Sequence, residues 1–328
     1  MYSVHVHYVL IGNYGVGNFG DEALKEYFLS SFPEAGFRVL SAHPKTGELP
    51  RLPAGVRSFF STPWFRTLGA LRKSDGLVFG GGTLFTDSES GSACLLWWWH
   101  AFVCRLLGKP FFLAFQGIGP FRTGAGEWCA RWAVAHAACV SVRDRASFER
   151  VKSWKANTNI IQTFDPIFSL LAAEKKDCGS QKLLVIIPRK NSPSSFQDRA
   201  VQLWKSRSWE AVRILSLQPE DPQEQEVCRT IAHVLSEPDA VIVPIRSVGE
   251  LASHVCAAGF VLAQRYHGAL AALALGIPFE TVFQREGDKL SSLSRMASSD
   301  ISCLIQDGER RLRIALFPVL SESGKIQI

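Results

Sequence analysis

Three arginines at the ends of apolar runs carry a clear chemical signal in this 328-residue sequence. Arg143, Arg189 and Arg265 close the runs "SVRD", "VIIPR" and "AQR", each of which predicts a β-strand. A guanidinium group binds phosphate or carboxylate with two parallel hydrogen bonds, so arginines at three strand ends predict a binding site for an anion. For Arg143 the alternative is an ion pair with Asp144 or Asp165.

One histidine follows the last of these arginines by two residues. His267 is the second residue of the segment "YHGALAALALG", which predicts a helix. A helix N-terminus carries partial positive charge, which keeps an imidazole able to exchange a proton near neutral pH. We interpret His267 as a general acid or base, with helix capping as the alternative. His100 and His254 lie inside predicted helices and are interpreted as structural or surface residues.

Glycine-rich segments follow further apolar runs and predict turns between strands and helices. Glycine lets backbone N–H groups approach an oxyanion at a helix N-terminus, although it also serves in an ordinary tight turn. The segments are "GNYGVGNFGDEA" (12–23), "GGGTLFTD" (80–87) and "QGIGPF" (116–121). The substrate-binding residues predicted from them are Gly15, Gly17, Asn18, Gly81, Gly82, Thr83 and Gln116. Asp21 is a candidate second acid or base, or else a charge that stabilises the helix N-terminus.

Strand-like and helix-like segments alternate along the chain, with a polar break near residue 175. Such alternation predicts parallel sheets covered by helices, and the break predicts two α/β units. We place one Rossmann-like domain over residues 1–172 and a second over residues 173–328, with the tail helix packing back on the first. Ligands of doubly wound sheets bind beyond the carboxyl ends of the strands, where the arginines, the histidine and the glycine segments fall.

Composition indicates a folded and mildly basic protein. The hydrophobic fraction is 47%, the charged fraction is 20%, and 36 Lys plus Arg against 30 Asp plus Glu give a net charge of +6. This excess is too small and dispersed to predict nucleic-acid binding, but it suits an anionic small molecule or membrane surface. The triplet at 97–99, "WWW", is a candidate contact for lipid or a second subunit. The oligomeric state is not predicted.

Cysteine usage and hydropathy bear on the cellular location. The eight cysteines form no CxxC pair, so we expect buried reduced thiols and no metal site. The first residues alternate like a strand and lack the features of a signal peptide, and no apolar run is long enough to cross a bilayer. We expect a cytoplasmic protein, with peripheral contact at the inner face of the membrane as an alternative location.

The ordered set of these motifs resembles the polysaccharide pyruvyl transferase family. The set runs "GNxGxGNxGDEA", "GGGTL", "QGIGP", "SVRDxxS", "DPIF", a second-half "PR" and "RYHGALAALALGIPF", and it spans residues 11–290. The resemblance implies a GT-B-like fold of two Rossmann-like domains facing a cleft, the acceptor on the N-terminal side and the donor on the C-terminal side. It also implies transfer of the enolpyruvyl unit of phosphoenolpyruvate, as a cyclic ketal, to a sugar of a cell-wall or exopolysaccharide precursor carried by a lipid.

Roles for individual residues follow from that resemblance. His267 becomes the principal acid or base, and Arg143, Arg189 and Arg265 hold the phosphate and carboxylate of the donor. Asp21 becomes the candidate that orients an acceptor hydroxyl. Phosphoenolpyruvate enters as donor substrate, and no cofactor or metal is implied.

The sequence departs from the family pattern in two places, and two other functions stay open. Tyr266 stands where many members have Leu, and "REGDKL" carries Asp288 and the candidate substrate-binding residue Lys289 at altered spacing. A nucleotide-sugar-dependent glycosyltransferase of the same fold would need an acidic residue for the ribose, for which Glu280 and Glu286 are candidates. A sugar-binding protein that has lost its chemistry is the other alternative.

Overall fold

The computed structural model describes residues 6–53, 56–88, 90–155, 159–175, 182–207, 209–235, 240–282, 293 and 298–318. The chain forms two compact units, each built from more than one segment. Unit 1 comprises Met1–Val16, Leu24–Pro166 and Cys303–Ile328, and unit 2 comprises Gly17–Ala23 and Ile167–Ser302. The predicted domain boundary between residues 172 and 173 assigns residues 17–23 to the N-terminal domain and residues 303–328 to the C-terminal domain. In the structure these two segments belong to unit 2 and unit 1, respectively.

A seven-stranded parallel sheet forms the centre of unit 1, in the order β3-β2-β1-β4-β5-β6-β7. Its strands are β1 (Val6–Ile11), β2 (Ala35–Ser41), β3 (Leu49–Pro50), β4 (Gly76–Phe85), β5 (Phe111–Ile118), β6 (Cys139–Val142) and β7 (Ile160–Gln162). Its helices are α2 (Val56–Ser61), α3 (Phe65–Lys73), α4 (Ala93–Leu106), α5 (Gly124–His136) and α6 (Arg145–Ser153). Every residue of β5 is buried, as expected for a parallel strand covered on both faces.

A five-stranded parallel sheet forms the centre of unit 2, in the order β10-β9-β8-β11-β12. Its strands are β8 (Leu183–Ile187), β9 (Ala211–Ser216), β10 (Ala240–Pro244), β11 (Phe260–Ala263) and β12 (Phe279–Thr281). Its helices are α7 (Ile167–Ala173), α8 (Ser194–Ser206), α9 (Pro222–Leu235), α10 (Val248–Cys256) and α11 (Tyr266–Leu275). Leu184, Ile186, Phe196, Ile214 and Leu262 are among the residues of its apolar core.

Two further helices contain a point where the chain passes between the units. These are α1 (Phe19–Ser31), whose first turn belongs to unit 2, and α12 (Ser298–Leu316), which belongs to unit 1 from Cys303 onward. In unit 1, the side chains of Ile305, Leu312 and Leu316 on α12 are buried.

Both sheets are doubly wound. In each, the first strand of the series lies inside the sheet, the next two are added on one side, and the later strands on the other. The switch points of this order lie between β1 and β4 in unit 1 and between β8 and β11 in unit 2, and ligands of such sheets bind there. The prediction of an α/β fold with parallel sheets is therefore confirmed.

One glycine-rich segment and one proline determine element boundaries in unit 1. The segment 80–87, predicted to form a turn, does not end β4, which continues to Phe85 with a shift of register between Gly82 and Phe85. The helices α2 and α3 are separated by a turn containing Pro63. Proline fixes its own φ and restricts the residue before it, so a helix commonly ends ahead of it.

The cysteines depart from the expectation of eight buried thiols. Cys256 is disulfide-bonded and Cys303 is exposed. A disulfide can join residues that are distant in sequence, so the absence of a CxxC pair does not exclude one. Cys94, Cys104 and Cys228 are buried free thiols, and burial raises the pKa of each to about 12.

The described helices and side chains bear on membrane spanning and on metal binding. None of the described helices combines the length and the apolar composition needed to cross a bilayer. Within the same residues, no group of three or more His, Cys, Asp or Glu side chains is placed to hold a metal ion.

Candidate functional site

The carboxyl ends of β8 and β11 bring two predicted arginines to the same edge of the sheet in unit 2. The strands are neighbours in parallel register, with Ala263 opposite Ile187, and the Gln264 N–H donates to the Ile187 carbonyl at 2.9 Å. Arg189 and Arg265 each follow their strand by two residues. They therefore leave the sheet side by side, at its switch point.

The loop after β8 is fastened to the end of β11 by one hydroxyl group. Ser192 Oγ accepts from the Arg189 N–H at 3.0 Å and lies 2.7 Å from the Arg189 carbonyl oxygen. The same hydroxyl contacts Oε1 of Gln264, which is buried. This loop therefore has a defined position relative to Arg265, the residue after Gln264.

Arg265 is held in place by a buried carboxylate. Its Nη2 contacts Oε2 of Glu224 and Oε1 of Gln218, and the Glu224 side chain is fully buried. The second Glu224 oxygen, Oε1, accepts from the Ser216 hydroxyl at 2.9 Å and from the Gln218 N–H at 2.6 Å. The Nε–H of Arg265 is buried and finds no acceptor among the described residues. Because an unsatisfied buried donor is costly, this N–H is a candidate donor to an oxygen atom of water or of a ligand.

His267 lies in the first turn of α11, and its imidazole packs on the backbone of the glycine-rich loop. A Cβ atom built on Gly20 would lie 2.0 Å from His267 Cε1 and 2.4 Å from Nδ1. The Phe19 ring lies edge-on to the imidazole, with 6.1 Å between centroids. Both residues belong to the segment 17–23, which is part of unit 2. The structure therefore explains why residue 20 is glycine: any side chain would displace the imidazole.

The segment that carries Gly20 is fixed at the N-terminus of α1. The Asn18 side chain caps the helix, since its Oδ1 accepts from the Gly20 N–H at 3.1 Å. The Phe19 N–H donates to the carbonyl of Leu217, the residue after β9, at 3.2 Å. Asp21 is half-buried in the first turn of α1.

The other predicted glycines allow close packing of the backbone or backbone conformations with positive φ. In unit 1, a Cβ on Gly15 would lie 2.1 Å from Ser41 Oγ, and a Cβ on Gly81 would lie 2.7 Å from Leu24 Cδ2. Such approaches exclude a side chain whether or not a ligand binds. Positive φ angles of 79°, 74°, 79° and 86° occur at Gly15, Gly17, Gly81 and Gly82.

Three predicted residues meet at the carboxyl ends of β4, β5 and β6 in unit 1. The Arg143 N–H donates to the Gln116 carbonyl at 3.0 Å, and Arg143 Nη2 donates to Thr83 Oγ1 at 2.8 Å. The guanidinium also forms an ion pair with Asp165, whose side chain is fully buried. The alternative that paired Arg143 with Asp165 is thus confirmed as a contact, and the pair fixes the orientation of the guanidinium.

Arg51 holds the first glycine-rich loop in unit 1, a role that the sequence did not indicate. Its Nη2 donates to the carbonyls of Gly12 at 2.9 Å and Tyr14 at 3.1 Å, and its guanidinium lies 4.9 Å from the centroid of the Trp97 ring. The Tyr14 hydroxyl donates to the Gly80 carbonyl at 3.0 Å, which joins this loop to β4. Arg51 stands outside any motif, so only the folded structure identifies it.

Asp87 has a comparable role at the end of the second glycine-rich segment. It accepts from the Arg122 N–H at 2.6 Å, the Thr123 N–H at 2.9 Å and the Thr123 hydroxyl at 2.5 Å. Burial alone would raise its pKa, but these hydrogen bonds outweigh burial and lower it. The position of Asp87 at the end of "GGGTLFTD" was the one sequence feature that could have identified it, although that segment was interpreted as a turn that binds an anion.

The predicted site residues therefore divide between two strand-end clusters. Asn18, Asp21, Arg189, Arg265 and His267 belong to unit 2, whereas Thr83, Gln116 and Arg143 belong to unit 1. Asp288 and Lys289 lie outside the described residues.

Solved structures of low sequence identity share the fold. The chain is similar to UDP-N-acetylglucosamine 2-epimerase from Rickettsia bellii, with 10% identity, a TM-score of 0.57 and coverage of 98% of this chain and 99% of that chain. It is similar to S. aureus MnaA in complex with UDP, with 11% identity, a TM-score of 0.58 and coverage of 99% and 100%. It is also similar to Anabaena HepE in complex with UDP-glucose, with 12% identity, a TM-score of 0.53 and coverage of 97% of this chain and 95% of that chain. These likenesses show a GT-B-like fold and nothing further.

Sequence comparison identifies the family. No curated protein gives a significant match to the chain. A family model described as polysaccharide pyruvyl transferase matches residues 18–279, a range that includes Arg143, Arg189, Arg265 and His267. Since this match covers well over half of the sequence, the chain belongs to the polysaccharide pyruvyl transferase family.

Proposed function

We propose that this protein transfers a pyruvyl group from phosphoenolpyruvate to two hydroxyl groups of a sugar, forming a ketal and releasing phosphate. The acceptor is a cell-wall or exopolysaccharide precursor, carried by a lipid. Family membership supports polysaccharide pyruvyl transfer, and one observation supports this donor. His267 lies at the N-terminus of α11, two residues after Arg265 and beside the strand that leads to Arg189.

The proposed chemistry needs an acid, a base and groups that hold two anionic substituents. Protonation of the methylene carbon of phosphoenolpyruvate forms a methyl group and an oxocarbenium ion at C2, to which a sugar hydroxyl adds. A second hydroxyl then displaces phosphate and closes the ketal. Of the two hydroxyl protons, one ends on the methyl group and the other on phosphate. A positioned side chain that moves these protons accelerates such a reaction by about 10²–10⁴-fold.

The residues of unit 2 suit the donor half of this reaction. We assign proton transfer to His267 and contact with the phosphate and carboxylate to Arg189 and Arg265. Arginines suit both groups because their N–H donors match the geometry of an oxyanion. The Glu224 carboxylate orients Arg265, so its Nε–H has a fixed direction. The proposal assigns no cofactor.

Two further predicted residues, Asp21 and Arg143, also enter the proposal. Asp21 orients a hydroxyl of the acceptor from the first turn of α1. Arg143 contacts an anionic group of a substrate, with Asp165 and Thr83 fixing its guanidinium. We assign the reaction to the cytoplasmic side of the membrane.

A nucleotide-sugar-dependent glycosyltransferase is less well supported. Its predicted ribose ligand, Glu280, forms a two-point ion pair with Arg199, with distances of 2.7 Å to Nε and 2.6 Å to Nη2. A carboxylate engaged in this way has less capacity to accept from ribose hydroxyls. The other candidate, Glu286, lies outside the described residues.

Phosphate release tests the proposal. Purified protein is incubated with phosphoenolpyruvate and a panel of lipid-linked and nitrophenyl sugars. We expect acceptor-dependent release of phosphate that His267→Ala lowers by about 10²-fold or more. His254→Ala is the matched control, because His254 lies in α10 of the same unit and contacts Arg213 instead. Turnover of a UDP-sugar without turnover of phosphoenolpyruvate would contradict the proposal.

A further inference from the structure

An exposed cluster of four aromatic side chains occupies α2, α3 and the turn between them. The exposed fractions are 83% for Phe60, 69% for Phe65 and 49% for Phe59. Trp64 completes the aromatic cluster: its ring stacks on Phe65 at 3.9 Å between centroids, and its Nε1–H donates to the Phe59 carbonyl at 3.0 Å. The rings contact one another while much of their surface faces solvent.

Such a cluster requires an explanation, because folded proteins rarely leave adjacent large aromatic side chains in water. The tryptophan triplet 97–99, which the sequence singled out for lipid contact, is less accessible. Trp97 is 4% exposed, and Trp98 and Trp99 are half-buried and stack on Phe102. The aromatic cluster is thus a more accessible apolar surface than the triplet.

The segment around the aromatic cluster carries charge of one sign only. No Asp or Glu occurs between Glu48 and Asp75. The basic residues of this interval are Arg51, Arg57, Arg66, Arg72 and Lys73. Arg66, Arg72 and Lys73 are exposed and form no ion pair with the described residues. The surface therefore combines exposed aromatic rings with unneutralised positive charge.

We propose that the aromatic cluster docks the protein on an anionic lipid bilayer. Trp and Phe side chains favour the boundary between headgroups and acyl chains, and long basic side chains keep their charge at headgroup level while their stems contact apolar surface. The absence of Asp and Glu from residues 49–74 complements the negative surface of such a bilayer. Arg66, Arg72 and Lys73 contact lipid phosphates. Docking does not depend on the proposed reaction, because none of these residues belongs to either strand-end cluster.

Vesicle co-sedimentation of the full chain tests this proposal. We expect binding to vesicles rich in phosphatidylglycerol, weaker binding to phosphatidylcholine alone, and loss of the difference at high salt. Phe60→Ser and Phe65→Ser are each expected to lower partitioning onto the anionic vesicles about tenfold. Each variant loses the free energy of burying one aromatic side chain in the bilayer. Arg66→Gln and Arg72→Gln each lower it about fivefold on anionic vesicles, and not on neutral ones.

Leu106→Ser is the matched control. Leu106 ends α4 and is 74% exposed, comparable to Phe60, so its replacement is expected to leave partitioning unchanged. Thermal unfolding checks that each variant is folded. Vesicle binding that does not depend on phosphatidylglycerol would overturn the proposal. So would an equal loss of binding in Leu106→Ser, or unchanged binding in both phenylalanine variants. If the parent chain is a dimer that binds no vesicles, and Phe60→Ser is a monomer, the surface would be assigned to self-association instead.

Discussion

At the scale of single residues, the contact between His267 and Gly20 gives a sharp prediction. The atoms that a Cβ at position 20 would meet belong to the end of the imidazole side chain, 2.0 Å from Cε1. Gly20→Ala is therefore expected to displace the imidazole with little loss of stability. Because a misplacement of about 1 Å can cost about 10²-fold in rate, we expect kcat/KM for pyruvyl transfer to fall by about that factor.

Gly249→Ala provides the control for this substitution. Gly249 is the second residue of α10 in the same unit, and a Cβ there would meet no atom within 4 Å. We expect unchanged kcat/KM and slightly higher stability, since alanine favours a helix over glycine by about 1 kcal/mol or less. Equal activity in the two variants would contradict a catalytic position for His267.

The carboxylate that holds Arg265 gives a prediction about stability. Glu224→Gln leaves a guanidinium that is largely buried without its charged partner, and breaking a buried pair in this way costs about 3–5 kcal/mol. Glu226→Gln on the same helix removes an ion pair with Arg229 in which both side chains are well exposed, for which we expect about 0.5 kcal/mol or less. Urea unfolding measures both changes. Similar values for the two variants would show that the buried pair is not a stabilising contact.

These ion pairs show where prediction of the site from sequence ends. The arginines were found because strand ends are visible as apolar runs, and Asp165 was a suggested partner of Arg143. Glu224 was not suggested for Arg265, because the two residues are 41 positions apart and meet only through the pairing of β8 with its neighbours. The same limit applies to Arg51, which stands in no motif.

At the scale of elements, a buried histidine joins α4 to the chain after β3. His100 Nδ1 donates to the Leu96 carbonyl at 2.8 Å, and Nε2 accepts from the Leu52 N–H at 2.9 Å. This arrangement requires a neutral imidazole. Burial, with a smaller contribution from Arg51, lowers the pKa of His100 from 6.5 to about 4.

The lowered pKa makes stability depend on pH in a defined direction. Between about pH 4 and 6.5 the unfolded chain binds the extra proton, so the free energy of unfolding rises with pH. The contribution of the neutral His100 to the free energy of unfolding is fully present above pH 6.5. Acidification removes it, and the loss reaches about 3 kcal/mol at pH 4. His100→Gln is expected to remove that part of the slope.

The control is another histidine with a similar local contact. His136 Nδ1 also lies 2.8 Å from the carbonyl four residues earlier, but its side chain is exposed. Denaturant unfolding over the pH range is expected to give the parent slope for His136→Gln and a flatter one for His100→Gln. Parallel slopes in the parent and in His100→Gln would refute a neutral buried His100.

The elements themselves were largely predictable, and the exceptions have physical causes. Apolar runs covered by helices on both faces, such as β5 and β8, are visible in the sequence. β4 was predicted too short because its two central glycines resemble a turn, whereas they form an irregularity inside a strand. β3 has two residues, too few for any periodic pattern.

At the scale of the whole molecule, each unit is assembled from segments distant in sequence. Unit 1 takes the larger part of α12, where the Tyr27 hydroxyl donates to Glu309 and the Tyr8 hydroxyl to the Leu316 carbonyl, both at 2.6 Å. The Thr163 hydroxyl donates to the Leu304 carbonyl at 2.8 Å. These contacts make α12, from Cys303 onward, a component of unit 1.

Substitutions on the two faces of α12 test this assembly. Ile305 is fully buried, so Ile305→Ala is expected to lower stability by about 2–5 kcal/mol, whereas Ile314 is 42% exposed and its replacement is expected to cost far less. Hydrogen exchange then locates the effect. Because residue 305 belongs to unit 1, Ile305→Ala should accelerate exchange at amides of β1 and β5, with those of β8 and β9 unchanged. Acceleration confined to β8 and β9 would instead assign the helix to unit 2, and acceleration in all four strands would mean that the two units unfold as one.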